Sequence, residues 1–218
     1  SSKESPWGTG TNLQNITKDL RAIFIPDRGR IMFYADLQAA ESRATAYLSG
    51  DEGYINAAES SDLHTEVAKM VWPNLGWSED QKQNRELAEK PYFGNYTYRD
   101  VCKRAGHGTN YGASHTTVSR NIKIKGSQAK RFQLLYYGGV EPLNNLNRWH
   151  KQDKRGGFEE LIEMGEVIGS GTQQLVKVKG AFPGIRSWHN EVIKELQTTG
   201  NLITPFGRRR QFWGRLDD

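Results

Sequence analysis

RDVCKRAGHGTNYG, residues 99–112, is the segment on which the fold assignment rests. Its cationic and ring-bearing side chains recur at every fourth position: Arg99, Lys103, His107 and Tyr111. On a helix, such positions advance by about 40° per step, so they form one slowly turning stripe. Two cations followed by two flat rings suit the phosphates, sugar and base of a nucleoside triphosphate. A basic helix surface with a half-buried tyrosine explains the spacing equally well.

Cap and turn signals around this segment predict a mainly helical chain. Residues 22–25 and 30–35 read as two strands of a hairpin around a turn at 26–29. Helix N-caps are predicted at three side chains: Asp62, Ser78 and Thr97. Further helices are predicted over residues 39–48, 127–137, 156–170 and 183–197. A second hairpin with a basic flank is predicted within residues 198–214.

Composition narrows the class of protein. The 218 residues carry a net charge of +5, and local basic groups make contact with a polyanion plausible: Lys123, Lys125, Lys130, Arg131, Lys151, Lys154 and Arg155. Cys102 is the single cysteine, which excludes an intrachain disulfide and a cysteine-clustered zinc site. No apolar run approaches the ~20 residues of a membrane helix. We therefore expect a soluble protein of a reducing, intracellular compartment.

Asp36 and Glu41 are the acidic side chains of interest near the first predicted strands. Asp36 ends the apolar run IMFYAD, where a carboxylate can hold a hard cation such as Mg²⁺. An aspartate after a strand is more often a turn or helix cap. Glu41, with Arg43 close behind, reads by itself as an exposed helical ion-pair partner.

The order of these segments resembles DNA polymerases of family A, over residues 7–214. DLQAAESRATAYLSGDE, residues 36–52, resembles motif A, and residues 99–112 fit motif B, R-x-x-x-K-x-x-x-[FY]-x-x-x-Y-G. Four shorter segments are similar to other conserved stretches: TNLQNI (11–16), DLHTEVA (62–68), FPGIRSW (182–188) and TPFGRRR (204–210). The resemblance implies an α+β, predominantly helical fold. Its parts would be a partial palm over 1–60, fingers over 61–195 and a basic hairpin over 196–218.

The resemblance also implies a role for each matching residue. Asp36, with the backbone carbonyl of Leu37, would bind two catalytic Mg²⁺ ions, and Lys103 would act on the departing pyrophosphate. Glu41 would exclude a ribose 2′-hydroxyl. The remaining nucleotide-binding residues would be His64, Arg99, Lys103, His107 and Tyr111. Contacts to primer–template DNA would come from Asn12, Gln14, Asn15, Arg209 and Arg210.

The sequence departs from the family pattern in two places. His107 stands where the pattern has Phe or Tyr, and because histidine titrates near neutrality we expect nucleotide discrimination to differ. The chain also ends before the family's second metal-binding aspartate, so we expect it to be inactive without that region. An excised piece, a split subunit with a partner chain carrying the remaining palm and thumb, and a truncated product all fit.

Three functions remain open at this stage. The first is template-directed DNA synthesis in the cytoplasm of a bacterium or phage-infected cell. The second is a non-catalytic DNA-binding subunit or fragment. The third is a single-subunit RNA polymerase, which shares the Arg, Lys and Tyr-Gly pattern but conflicts with an acidic gate at Glu41.

Overall fold

The computed structural model describes residues 17–33, 35 and 37–212, and the chain divides into two compact units, 1–38 and 39–218. In the first unit, Lys18–Ile23 forms a 3-10 helix, and the amide of Arg30 donates to the carbonyl of Asp27 at 2.9 Å in a turn. The hairpin predicted here is wrong over the described residues, because neither 24–33 nor 35 belongs to a strand. The first predicted strand begins inside the 3-10 helix, and Pro26 lacks the amide that a ladder needs.

Helices dominate the second unit. They are α1 (Ala40–Ser49), α2 (Glu52–Glu59), α3 (Leu63–Val71), α4 (Gln81–Ala88), α5 (Tyr98–Asn110), α6 (His115–Ile122), α7 (Gly126–Tyr137), α8 (Leu143–Gln152), α9 (Phe158–Met164) and α10 (Pro183–Thr199). Short 3-10 helices lie at Pro73–Leu75 and Gly171–Gln173. The strands are β1 (Pro91–Phe93), β2 (Tyr96–Thr97), β3 (Gly139–Pro142), β4 (Glu166–Ile168), β5 (Leu175–Val178), β6 (Asn201–Ile203) and β7 (Arg209–Gln211).

The strands form small antiparallel sheets. β1 pairs with β2, β5 lies between β3 and β4, and β6 pairs with β7. The β6–β7 pair confirms the hairpin predicted within residues 198–214. Gly138 and Gly180 lie against each other where the chain enters β3 and leaves β5, and a Cβ at position 180 would collide with the backbone of Gly138. The mixture of helices and small sheets confirms the α+β class.

Local capping explains where the helices nearest the stripe begin. The Asp62 carboxylate accepts from the Thr65 amide at the start of α3, and Thr97 forms a reciprocal capping box with Asp100 at the start of α5. Both caps confirm the predictions. The predicted cap at Ser78 is wrong, because α4 begins at Gln81.

Asp80, and not Ser78, caps α4. The Asp80 carboxylate accepts from the amide of Lys82 at 2.7 Å, whereas the amide of Ser78 donates to the Asn84 side chain at 2.8 Å. The helix predicted over 156–170 is also shorter than expected. It ends at Met164, and the following residues pair in the sheet as β4.

The core of the second unit lies around α5. Val101, Cys102, Ala105 and Thr109 of α5 are buried, and the helix packs against α3, α6 and α7. This burial fixes the orientation of α5, because the apolar groups on this face leave water and each buried CH₂ contributes about 0.8 kcal/mol. The opposite face of α5 therefore remains toward solvent. Over the described ranges, no helix combines the length and apolar character needed to cross a bilayer.

Candidate functional site

The stripe predicted from the sequence lies on the face of α5 that points away from the core. Arg99 is half-buried, Lys103 and His107 are exposed, and Tyr111 is the residue at which the helix ends. The described residues give Lys103 no ion-pair partner. Its ammonium group is therefore available to a ligand.

The first end of the stripe is anchored to α3 by an ion pair. The Arg99 guanidinium donates from Nε to Asp62 Oδ2 at 2.9 Å and from Nη2 to Oδ1 at 3.0 Å. Arg85 of α4 brings its Nη1 within 3.1 Å of the same carboxylate. Burial raises the pKa of Asp62, but the hydrogen bonds and charge of Arg99, with hydrogen bonds from Thr65, outweigh it and hold the pKa below its usual value.

His64 stands on α3 beside this pair. Its pKa is lowered to about 4, first by burial and then by the charge of Arg99, with smaller effects of the same sign from Lys103 and His107. The Asp62 carboxylate acts in the opposite direction. A cation on His64 is thus disfavoured first by burial, and the positive charge of Arg99 and Lys103 on α5 adds to this effect.

The far end of the stripe meets Glu41 of α1. His107 Nδ1 lies 3.2 Å from Glu41 Oε2, and a hydrogen bond to Glu41 is the main cause of the raised pKa of Tyr111. The rings of His107 and Tyr111 meet edge to face with their centroids 4.9 Å apart. A cavity of about 220 Å³ opens beside them, lined by Glu41, Ala44, Thr45, Leu48, His107, Asn110, Tyr111 and Trp188.

Asn110, which lines this cavity at the end of α5, is held in place by three hydrogen bonds. Its side-chain amide donates to the Tyr54 hydroxyl at 2.7 Å and accepts from the Tyr136 hydroxyl at 2.9 Å. Its backbone carbonyl lies 2.9 Å from His189 Nε2 on α10. Sequence reasoning missed Asn110 and Trp188, although both fall within segments that resemble the family motifs.

Of the remaining predicted site residues, the structure describes Leu37, Arg209 and Arg210. Asp36, Asn12, Gln14 and Asn15 lie outside the described residues. Leu37 belongs to the first unit, where its side chain is exposed. Arg209 and Arg210 are exposed on β7, and the Arg210 guanidinium lies 5.8 Å from the centre of the Phe212 ring. Within residues 17–33, 35 and 37–212, no three His, Cys, Asp or Glu side chains gather as a metal site.

Part of the predicted basic surface is committed to internal contacts. Lys125 pairs with Asp153 and Lys130 with Glu141, while Arg131 is buried and donates to the carbonyl of Gly157. These three side chains are engaged within the chain, and contact between the basic groups and a polyanion stays a prediction. Four members of that set are exposed and form no ion pair among the described residues: Lys123, Lys151, Lys154 and Arg155.

Comparison with known proteins identifies the family. The family model for DNA polymerase family A matches residues 8–156. DNA polymerase I of Lactococcus lactis subsp. lactis (strain IL1403) is 29% identical over 162 residues, which cover 69% of this chain and 16% of that protein. The thermostable DNA polymerase I of Thermus filiformis is 24% identical over 206 residues, covering 91% of this chain and 18% of that protein.

A solved structure has the same fold. It is the POL domain of Pol1 from M. smegmatis in complex with DNA primer-template and dNTP, with a TM-score of 0.51 at 22% identity. The match covers 92% of this chain and 27% of that one. The chain thus spans about a sixth of the length of the curated relatives it matches.

Proposed function

The chain belongs to DNA polymerase family A, and on this premise we propose that it forms the nucleotide-facing part of an enzyme that adds deoxynucleotides to a primer 3′-hydroxyl. The observation that carries the proposal is the exposed face of α5. The cations Arg99 and Lys103 lie at its first end and in its middle, and Glu41 with the rings of His107 and Tyr111 lines a cavity at its far end. A nucleoside triphosphate needs these two environments side by side.

Each end of the face has a defined task. Arg99 and Lys103 bind the phosphate oxygens with charge-assisted donors, and the neutral His64 adds a hydrogen bond. The ion pair with Asp62 orients the Arg99 guanidinium before a ligand binds, so less side-chain entropy is lost on binding. Glu41, His107 and Tyr111 receive the sugar and the base, and the Glu41 carboxylate obstructs a 2′-hydroxyl.

The proposed metal is Mg²⁺, bound by Asp36 and the carbonyl of Leu37. Carboxylate and carbonyl oxygens are ligands of the type that Mg²⁺ prefers, and Asp36 lies outside the described residues. Bound Mg²⁺ supplies charge stabilisation for phosphoryl transfer and activates the primer hydroxyl. Lys103 contributes from the protein side by neutralising, or donating a proton to, the departing pyrophosphate.

DNA is the second proposed partner. Arg209 and Arg210, exposed on β7, contact its backbone, with Asn12, Gln14 and Asn15 as further contacts. Each neutralised phosphate contributes about 0.9 to the slope of log affinity against log salt. Replacing both arginines with alanine should therefore reduce this slope by about 2. DNA synthesis is favoured over the RNA polymerase alternative because the family model that matches is that of a DNA polymerase.

Titration of the purified chain with dATP in the presence of Mg²⁺ tests the nucleotide site. Lys103→Ala should weaken dATP binding by about tenfold, since a charge-assisted bond to phosphate is worth about 1.5–3 kcal/mol before solvent screening. Lys82→Ala is the matched control, because Lys82 is an exposed lysine on a different helix, α4. Equal weakening by both substitutions, or unchanged affinity in Lys103→Ala, would contradict the proposal.

A further inference from the structure

Residues 139–179 form a side module that branches from the end of α7 and returns just before α10. Gly138 and Gly180 lie against each other at its base, where a side chain on either residue would meet the backbone of the other. Inside the module, the rings of Trp149 and Phe158 pack with their centroids 5.7 Å apart. Its buried apolar side chains are Leu146, Phe158, Leu161, Val176 and Val178. The chain therefore enters and leaves the module at one point, and the module has apolar core residues of its own.

Ion pairs between this module and α7 neutralise acids of the module. Each pair joins a module carboxylate to a cation of α7 or of its N-cap: Asp153 to Lys125 at 3.2 Å, Glu141 to Lys130 at 3.4 Å and Glu160 to Arg131 at 3.4 Å. The other acids of the module lie on α9 and β4, and Glu159 among them lies 3.7 Å from His150 of α8. The lysines and arginines of α8 and of the turn after it take no part in these pairs. Folding thus leaves the positive charge at the end of α8 outside these contacts.

The exposed face of α8 is polar, and the end of the helix is basic. The exposed residues that share one side of it, at spacings of three and four positions, are Asn144, Asn147, Arg148 and Lys151. Lys154 and Arg155 follow in the exposed turn after the helix. In the part of the chain that the structure describes, none of these four cations forms an ion pair, and Arg148 Nη2 donates to the Asn145 side chain at 3.0 Å. The partial negative charge at the C-terminal end of a helix favours cations there.

The length and chemistry of this face suit the backbone of a nucleic acid duplex. From Asn144 to Lys151 the helix advances by about 10 Å, which spans about three phosphates of one strand at about 3.4 Å per nucleotide. Arginine, lysine and asparagine side chains contact phosphate oxygens without reading the base sequence. Sites for single strands add aromatic rings on which bases stack. The Trp149 ring of α8 is half-buried and packs against Phe158, so it is not free to stack on a base.

We propose that α8 and the turn after it form a second DNA-contact surface, which binds the phosphate backbone of duplex DNA. The cations that carry this surface are Arg148, Lys151, Lys154 and Arg155. The surface extends the proposed function, in which DNA is a partner, and its contacts add to those of Arg209 and Arg210. Because the ligand is the backbone, binding is independent of base sequence and weakens steeply with salt.

The test measures the fluorescence anisotropy of a labelled duplex of about 20 base pairs with the purified chain, over about 0.05–0.3 M NaCl. Combining Lys151→Ala with Lys154→Ala should reduce the slope of log affinity against log salt by about 2, because each lost phosphate contact removes about 0.9. The affinity at about 0.15 M salt should fall about tenfold. Lys82→Ala with Lys90→Ala is the matched control, because it removes the same charge from two exposed lysines outside the module, and it should leave the slope as in wild type.

A charge-retaining variant and two competitors define the outcome. Lys151→Arg with Lys154→Arg keeps both charges and should keep the wild-type slope. An unlabelled single strand of the same length and poly-glutamate, a polyanion without phosphate, should each displace the labelled duplex less effectively than unlabelled duplex does. Equal displacement by either competitor would overturn the assignment to duplex DNA.

The slope separates this inference from the proposed function. A slope that the double alanine variant of Lys151 and Lys154 leaves unchanged, or that the control reduces equally, would overturn this inference alone. In that case the contacts of Arg209 and Arg210 and the binding of dATP would be unaffected. Failure of the wild-type chain to bind the duplex would overturn this inference together with the proposed DNA contact, and the dATP titration would still decide the nucleotide site.

Discussion

Replacing Asp62 with asparagine tests how α3 and α5 are held together beneath the proposed phosphate site. Asparagine has nearly the same shape and is an equally good N-cap, so the start of α3 should remain intact. What the substitution removes is the negative charge that faces Arg99 and Arg85. We expect Asp62→Asn to lower the free energy of unfolding and to leave the helix content unchanged.

The magnitude follows from the partial burial of the pair. The side chains of Asp62 and Arg99 are 12% and 22% exposed, and the guanidinium donates to both carboxylate oxygens. Removing one partner of a fully buried pair costs about 3–5 kcal/mol, whereas an exposed pair is worth about 1 kcal/mol or less. The intermediate burial here gives a loss of about 2 kcal/mol. In a chain of this size that corresponds to a fall of about 4–8 °C in Tm.

Urea unfolding at pH 7 measures this loss, with Glu89→Gln as the matched control. Glu89 pairs with Arg85 at 3.1 Å, but the two side chains are about half exposed, so its loss should cost about 0.5 kcal/mol or less. The pKa of Asp62 is lowered in the folded state, so its stabilising effect is complete above the ordinary value of 3.8 and is lost as the pH falls through the folded value. The difference between wild type and Asp62→Asn should therefore shrink below about pH 4.

The reasoning fails if Asp62→Asn unfolds within about 0.5 kcal/mol of wild type at pH 7. It also fails if the difference between the two proteins stays constant on acidification. Either result would mean that the ion pair between α3 and α5 contributes no more than an exposed surface pair.

Two further predictions concern buried polar groups near the site. The imidazole of His64 should titrate with a pKa of about 4 in an NMR pH series. The wild-type protein should lose stability relative to His64→Gln between pH 6.5 and pH 4, because the unfolded chain binds the proton more readily, and a midpoint near 6.5 would refute this. Asn110→Ala should cost about 3 kcal/mol in urea unfolding, because the buried hydroxyls of Tyr54 and Tyr136 each lose a partner. Asn147→Ala, at an exposed position of α8, is the control, and equal losses in the two variants would count against the role of Asn110.

Much of the fold near the site was predictable because the signals are local. Thr97 and Asp100 are three residues apart and form a capping box at the start of α5, which needs no residue distant in sequence. Asp62 likewise caps α3 through the nearby amide of Thr65. The N-cap of α4 was predicted wrongly because two nearby residues are both suitable caps. Ser78 and Asp80 are both good caps, and in the structure Asn84 of α4 bonds to the backbone amide and carbonyl of Ser78 while Asp80 caps the helix.

The sequence by itself determined the family, the mainly helical architecture and the stripe on α5, because motif order, helix periodicity and capping depend on residues close together in the chain. Only the tertiary structure decided which charges meet. Asp62 pairs with Arg99 across 37 residues, and Glu41 meets His107 from a helix much earlier in the chain. The strength of such pairs depends on the distance and burial that packing imposes, and no spacing along the chain encodes either quantity.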